Sequence, residues 1–189
     1  MKNELKAKFL QHLLGKKKDG EGFTLIELLV VIIIIGILSA IALPSFLSQA
    51  NKGKQAEAKQ NVATVNKSLQ AYAIENSDWV TAIADIGKLG TGIRTATVNY
   101  TYGMYAIDTT NKGGAGLIAT GATGLLHYQG AVANVYQAGG DLPAALSIIC
   151  QSATTTDKPT AAGDFDYTLG NKTTGGTFAC KAPFEALSK

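Results

Sequence analysis

Glu27 is an acid inside an apolar run, and no other side chain in this sequence poses so sharp a chemical question. From Phe23 to Leu43 the chain holds 21 residues with no second charge, and the next charged residue after Glu27 is Lys52. An ionised carboxylate in hydrocarbon costs roughly 3 kcal/mol on insertion scales, so it calls for a cationic partner. The run offers none, and the nearest cations before it are Lys16, Lys17 and Lys18, on the far side of Gly22. The other reactive types are sparse. Cys150 and Cys180 are the two cysteines, and they follow the apolar run. A segment carried across a membrane meets an oxidising compartment, where two thiols favour a disulfide. Closing a loop of about 30 residues is worth roughly 3–4 kcal/mol in the chain-entropy picture. His127 sits in Leu125-Leu126-His127-Tyr128 and reads as a sheet residue rather than a base. Two sulfurs at this spacing match no zinc pattern. Gly113-Gly114-Ala115-Gly116 reads as a glycine-rich turn, since it lacks the lysine of a phosphate loop. Asp164 and Asp166 alternate like a loop or strand edge, and calcium would need more oxygen ligands at set positions. With no nucleophile–base set, the sequence predicts no enzyme, no cofactor and no metal.

The order Gly22-Phe23-Thr24-Leu25-Ile26-Glu27, followed by the apolar run, resembles the type IV pilins. The resemblance is strong over residues 22–44 and architectural beyond them. It implies that a prepilin peptidase/methyltransferase cuts between Gly22 and Phe23 and methylates the new Phe23 amine. That amine is a cation four residues before Glu27, and in the family the glutamate neutralises the amine of a neighbouring subunit. Two charges that are each costly in lipid become tolerable as a pair. The resemblance also implies that helix is lost between Gly36 and Pro44 in the assembled filament. A kinked, continuous helix is the reading for the free subunit, because proline removes a backbone hydrogen bond and glycine adds freedom. Pseudopilins of secretion systems bind calcium near the C-terminus, so Asp164 and Asp166 bear on which relative this is.

Charge distribution agrees with a membrane-anchored precursor. The net charge of the 189 residues is +3. Residues 1–22 hold six lysines against Glu4, Asp19 and Glu21, so the remainder is neutral. Such a basic leader stays cytoplasmic by the positive-inside rule, and a nucleic-acid reading of the overall basicity fails. A secretory signal cleaved after its core fits poorly: the run is too long, and Ala40 and Ala42 precede Pro44 rather than a polar start.

The elements that must position these residues divide the chain into four. Residues 1–22 are the leader. Leu5, Phe9, Leu13 and Leu14 fit either a short amphipathic helix on the inner leaflet or a basic tail. Residues 23–51 are the hydrophobic helix, about 31 Å for the run from Phe23 to Leu43 and so close to a bilayer's hydrocarbon thickness. Residues 52–77 continue as an amphipathic helix, with Phe46, Ala50, Ala58, Val62, Val65, Leu69, Tyr72 and Asn76 at helical spacing. Residues 78–189 form a globular head. There Trp79, Val80, Ile83 and Ile86 make a helical turn or loop, with Trp79 as a core or loop anchor. Strands are predicted at Thr97–Ile107, Leu125–Val135 and Ala144–Gln151, a short one at Leu117–Thr120, and two more at Phe165–Leu169 and Thr177–Lys181. Breaks are predicted at 108–116 and 136–143. Tyr100, Tyr102, Tyr105, Tyr128 and Tyr136 read as sheet packing, with a stacking platform as the alternative.

The fold class is therefore α+β: a long N-terminal helix packed on an antiparallel sheet, with a Cys150–Cys180-bounded C-terminal loop region. The function predicted is a structural subunit, a type IVa-like major pilin that polymerises into a filament for motility, adhesion or DNA uptake. Its partners would be copies of itself, the processing peptidase, an inner-membrane assembly platform with its ATPases, and lipid before assembly. It would sit in the inner membrane as precursor and on the cell surface as pilus. A minor pilin or a type II secretion pseudopilin is the nearby alternative. A non-polymerising, single-pass anchored binding domain is the alternative of another class.

Overall fold

The computed structural model describes Gln11 and residues 22–107, 113–140, 143–160, 165–168, 173 and 175–187. Leader positions 1–10 and 12–21, and Asp164, lie outside the described residues. The chain divides into two compact units, residues 1–48 and 49–189. One helix, α1 (Leu25–Asn76, 52 residues), contributes to both and continues through Gly36 and Pro44.

In the first unit the apolar face of α1 is exposed. Its large apolar side chains from Leu25 to Leu47 are 46–87% exposed, and the segment is long and apolar enough to cross a membrane.

The second unit is a helix-on-sheet layer. A 3₁₀ helix (Ile83–Leu89) follows α1 and ends at Gly90, whose left-handed φ of 62° lets its N–H bond the carbonyl of Gly87. The strands are β1 (Tyr100–Ala106), β2 (Gly114–Gly121), β3 (Tyr128–Tyr136), β4 (Pro143–Ser152), β5 (Phe165–Thr168), β6 (Thr177–Cys180) and β7 (Phe184–Ala186). A five-stranded sheet runs β1-β2-β3-β4-β7, with every pair antiparallel, and β5 pairs β6 in a separate ribbon. Short links between sequential strands make this meander the simplest pairing.

Ala58, Val62, Val65 and Leu69 lie on one helix face by their spacing, and all are fully buried. They pack with Tyr100, Tyr102, Leu117, Tyr128 and Val132 of the sheet and with Val80, Leu89 and Leu125. Ile83, Ile86 and Trp79 close the edge of this core. Phe46 and Asn76, predicted on the same stripe, are exposed. The sheet covers only the middle of the stripe, and Asn76 Nδ2 instead donates to the Tyr72 carbonyl at 3.1 Å.

The helix comes close to β3 because Gly130 lies beneath it. A Cβ there would overlap Val62 Cγ1 and Asn66 Oδ1. Asn66, buried on α1 and not anticipated from the sequence, donates its Nδ2 to the Ile148 carbonyl at 3.0 Å. Nearby, Gln70 Nε2 donates to the Ala145 carbonyl at 3.0 Å. These two bonds give the helix a longitudinal register that apolar contact alone does not impose.

The other sheet face is also buried. Tyr105, Ala131, Cys150, Phe165 and Phe184 form a second core, with Ile107, Ile118, Ile148 and Phe178 around it. Strand β3 is consequently buried on both sides. Gln129 lies on this face in register with Ile118 and Cys150. It is fully buried, and neither amide atom has a partner.

Three predicted boundaries are corrected. Strand β1 starts at Tyr100 rather than Thr97, because Thr97 Oγ1 accepts the N–H groups of Asn99 and Tyr100 at 3.3 and 3.1 Å and turns the chain. Val98 is left 96% exposed. Strand β2 runs the full eight residues Gly114–Gly121, so Gly114–Gly116 are strand and not turn. Glycine is required at 116 because the Tyr105 ring lies across it, with its hydroxyl donating to the Gly130 carbonyl at 3.1 Å. Strand β3 starts at Tyr128, leaving Leu125–His127 in a link, and β7 was not foreseen.

Two substitutions should move thermal stability in opposite directions. Gly130→Ala should lower it by about 1–3 kcal/mol through overpacking against Val62 and Asn66. Gln129→Met, similar in shape, should leave it equal or higher, because it removes a buried amide whose unmet desolvation costs about 1–3 kcal/mol. Thermal denaturation of the two variants checks both.

Candidate functional site

The first candidate site is the head of α1. Gly22, Phe23 and Thr24 precede the helix, and Phe23 is 80% exposed. Thr24 is the N-cap. Its Oγ1 accepts the Glu27 N–H at 3.3 Å, while Glu27 Oε2 accepts the Thr24 N–H and hydroxyl, each at 2.9 Å. This reciprocal arrangement is a capping box, which satisfies helix-end donors that would otherwise be orphaned. The sequence carried the signal as Thr-x-x-Glu before an apolar run. At Gly36 an added Cβ would meet nothing within 4 Å. Pro44 is likewise accommodated within α1.

The second candidate region is stapled to the sheet at its C-terminal side. Cys150 of β4 and Cys180 of β6 form a disulfide with Cα atoms 5.9 Å apart. Cys150 is fully buried. The β5–β6 ribbon adds aromatic contacts: Phe165 stacks on Tyr105 with centroids 6.1 Å apart and tilts against Phe178 at 5.7 Å. Asp166 is exposed on β5. Among the described residues no cluster of three or more metal-ligating side chains is found.

Two other sequence readings are resolved by burial. The tyrosines do not form an open stacking platform, because Tyr100, Tyr102, Tyr105 and Tyr128 are buried. Burial pushes the Tyr128 phenol up to about 12 and also raises that of Tyr100. Their hydroxyls serve packing: Tyr100 donates to the Leu126 carbonyl at 3.0 Å, and Tyr102 accepts from Asn61 Nδ2 at 2.8 Å. His127 is buried in the β2–β3 link rather than in a strand. Its Nδ1 accepts the Gly121 N–H at 2.9 Å, so the ring proton lies on Nε2, which donates to the Thr155 carbonyl at 3.0 Å. Both nitrogens are occupied, and the ring clamps the segment after β4 to the end of β2.

The family described as Type IV pilin-like G and H matches residues 55–178, well over half of the chain. The prokaryotic N-terminal methylation motif matches residues 18–43. The chain belongs to the type IV pilin-like family. It is similar to the type IV major pilin protein PilA of Myxococcus xanthus, 41% identical over 66 residues, which are 35% of this chain and 30% of that one. It is also similar to the type IV narrow pilus major component PilA5 of Thermus thermophilus, 38% identical over 86 residues, 43% of this chain and 74% of the relative. A type II secretion system core protein G of Pseudomonas aeruginosa is 34% identical over 61 residues, 32% of this chain and 43% of that one. Thus the chain spans less than half of PilA and of core protein G. No solved structure matches.

The staple gives a separable test. Replacing both Cys150 and Cys180 by alanine should lower stability by about 2–4 kcal/mol. Hydrogen exchange should speed first in β5 and β6, with the amides of Val62 and Val65 still protected. Uniform loss of protection would mean that the disulfide supports the helix–sheet core as well.

Proposed function

We propose that this chain is a type IV prepilin whose mature form polymerises into a pilus filament. The observation that carries the reading is the Gly22-Phe23-Thr24-Leu25-Ile26-Glu27 motif at the head of an apolar helix that its own protein leaves bare. Residues 1–22 form a basic leader, held in the cytoplasm and removed by a prepilin peptidase that also methylates Phe23. Residues 23–51 hold the precursor in the inner membrane and later pack in the filament core. Residues 52–77 link to the head, residues 78–189. The work is structural rather than enzymatic. Assembly draws on an inner-membrane platform and its ATPases.

Glu27 has two partners in succession in this reading. Before assembly its carboxylate accepts the Thr24 donors. Cleavage then creates a cation at Phe23, and the carboxylate pairs with the Phe23 amine of a neighbouring subunit. Gly36 and Pro44 mark where the helix loosens as neighbours pack around it. A repeated head-to-tail contact of this kind closes no ring and grows as a filament.

The PilA5 similarity spans 74% of that relative and supports a pilus subunit over a secretion pseudopilin. The pseudopilin remains the second reading, supported by the shorter similarity to core protein G.

Intact mass of protein sheared from cells under non-reducing conditions is the first test. The proposed product begins at Phe23, carries one added methyl and is two hydrogens lighter than its reduced form. A product retaining residues 1–22 and confined to membranes would replace the filament with an anchored binding domain. Glu27→Leu tests the assembly role. Membrane insertion should persist while surface filaments are lost, and unchanged filaments would remove the pairing from the mechanism.

A further inference from the structure

Past the apolar segment, α1 carries Lys52, Lys54, Lys59 and Lys67 against the single acid Glu57 before the next acid at Glu75. The structure sorts these charges. Lys59 Nζ lies 5.5 Å from the centroid of the Tyr128 ring. Glu57 Oε2 accepts Asn99 Nδ2 at 2.8 Å and is turned toward the head. Among the described residues no ion pair is found for Lys52 or Lys54, whereas Lys88 pairs with Asp85 at 3.0 Å. Lys52 and Lys54 are therefore exposed cations with no acidic partner there, on either side of Gly53, where an added Cβ would meet nothing within 4 Å.

Their place in the sequence decides what meets them. Lys52 follows Leu47, an exposed apolar residue, by five positions. Five residues are about 7.5 Å of helix, and a lysine stem reaches back toward an interface. Two positions turn a helix by about 200°, so the two ammonium groups project from nearly opposite sides and meet different ligands. We propose that Lys52 and Lys54 form a collar that binds the phosphate groups of anionic phospholipids in the outer leaflet of the inner membrane before assembly. The proposal rests on the membrane-anchored prepilin reading. Attraction of basic residues to an anionic lipid surface amounts to about a fivefold preference per lysine and weakens with salt.

The test uses the full chain in lipid nanodiscs of equal phosphatidylglycerol and phosphatidylcholine. Lipids retained on the protein are counted by native mass spectrometry. The background is Lys16→Gln/Lys17→Gln/Lys18→Gln, which silences the leader's triple-lysine cluster on the opposite leaflet. In that background the chain should retain phosphatidylglycerol over phosphatidylcholine. Adding Lys52→Gln/Lys54→Gln should reduce the preference at least fivefold, and Lys158→Gln in the head should leave it unchanged. A chain that enters the discs and shows the same preference with and without Lys52 and Lys54 overturns the proposal alone. So does an unchanged preference accompanied by lost filament assembly, which would assign the two lysines to an acidic surface of another subunit. A chain that never enters the discs overturns the membrane reading and the proposal with it.

Discussion

An apolar helix of this length cannot remain bare in water, and that constraint governs the molecule. At roughly 25 cal/mol for each Å² of apolar surface, exposing side chains from Leu25 to Leu47 would outweigh the net stability of an ordinary domain. Among the described residues these side chains stay 46–87% exposed. Lipid first and like helices later are the covers that the proposed function supplies. Both are apolar, so moving from one to the other changes hydrophobic free energy little, and packing and charge pairing decide the exchange. Glu27 suits that economy. Its Thr24 bonds satisfy the carboxylate locally, and the proposed pairing would exchange them for a full positive charge.

The head solves the opposite problem. Its stretch of α1 is buried on one side only, and the sheet must approach closely without repelling the helix backbone. Gly130 opens the space, Val62 fills it, and Asn66 and Gln70 bond to sheet carbonyls. The second face is built from aromatic rings, the disulfide and β7. A strand buried from both sides tolerates few polar residues, and Gln129 stands out for that reason. His127 and Tyr105 each add a side-chain hydrogen bond to backbone, His127 at Gly121 and Thr155 and Tyr105 at Gly130.

Much of this was legible in advance because local rules carried it. Helical spacing identified Ala58, Val62, Val65 and Leu69, and strand-forming residues marked the strand over Ala144–Gln151. The cysteine pair followed from its place after an apolar segment expected to carry it into an oxidising compartment. The errors fell where a local rule met a tertiary one. Gly114–Gly116 resemble a turn in sequence, yet the strand keeps glycine because a neighbouring ring occupies the space. Thr97 delays the start of a run of good strand formers by accepting the Asn99 and Tyr100 N–H groups. Asn66 carries no sequence signal beyond its helical position, since polarity on a buried face makes sense only once the carbonyls opposite it are known.

By itself the sequence determined the apolar helix, its N-terminal methylation motif and lone acid, and the order of helix before sheet. These depend on composition and on periods that repeat within a few residues. Only the tertiary structure decided which part of the helix stripe is covered, that both sheet faces are buried, and that the tyrosines and His127 are internal fittings. Those facts depend on which backbone groups lie opposite one another across the layers, and no spacing along the chain encodes that distance.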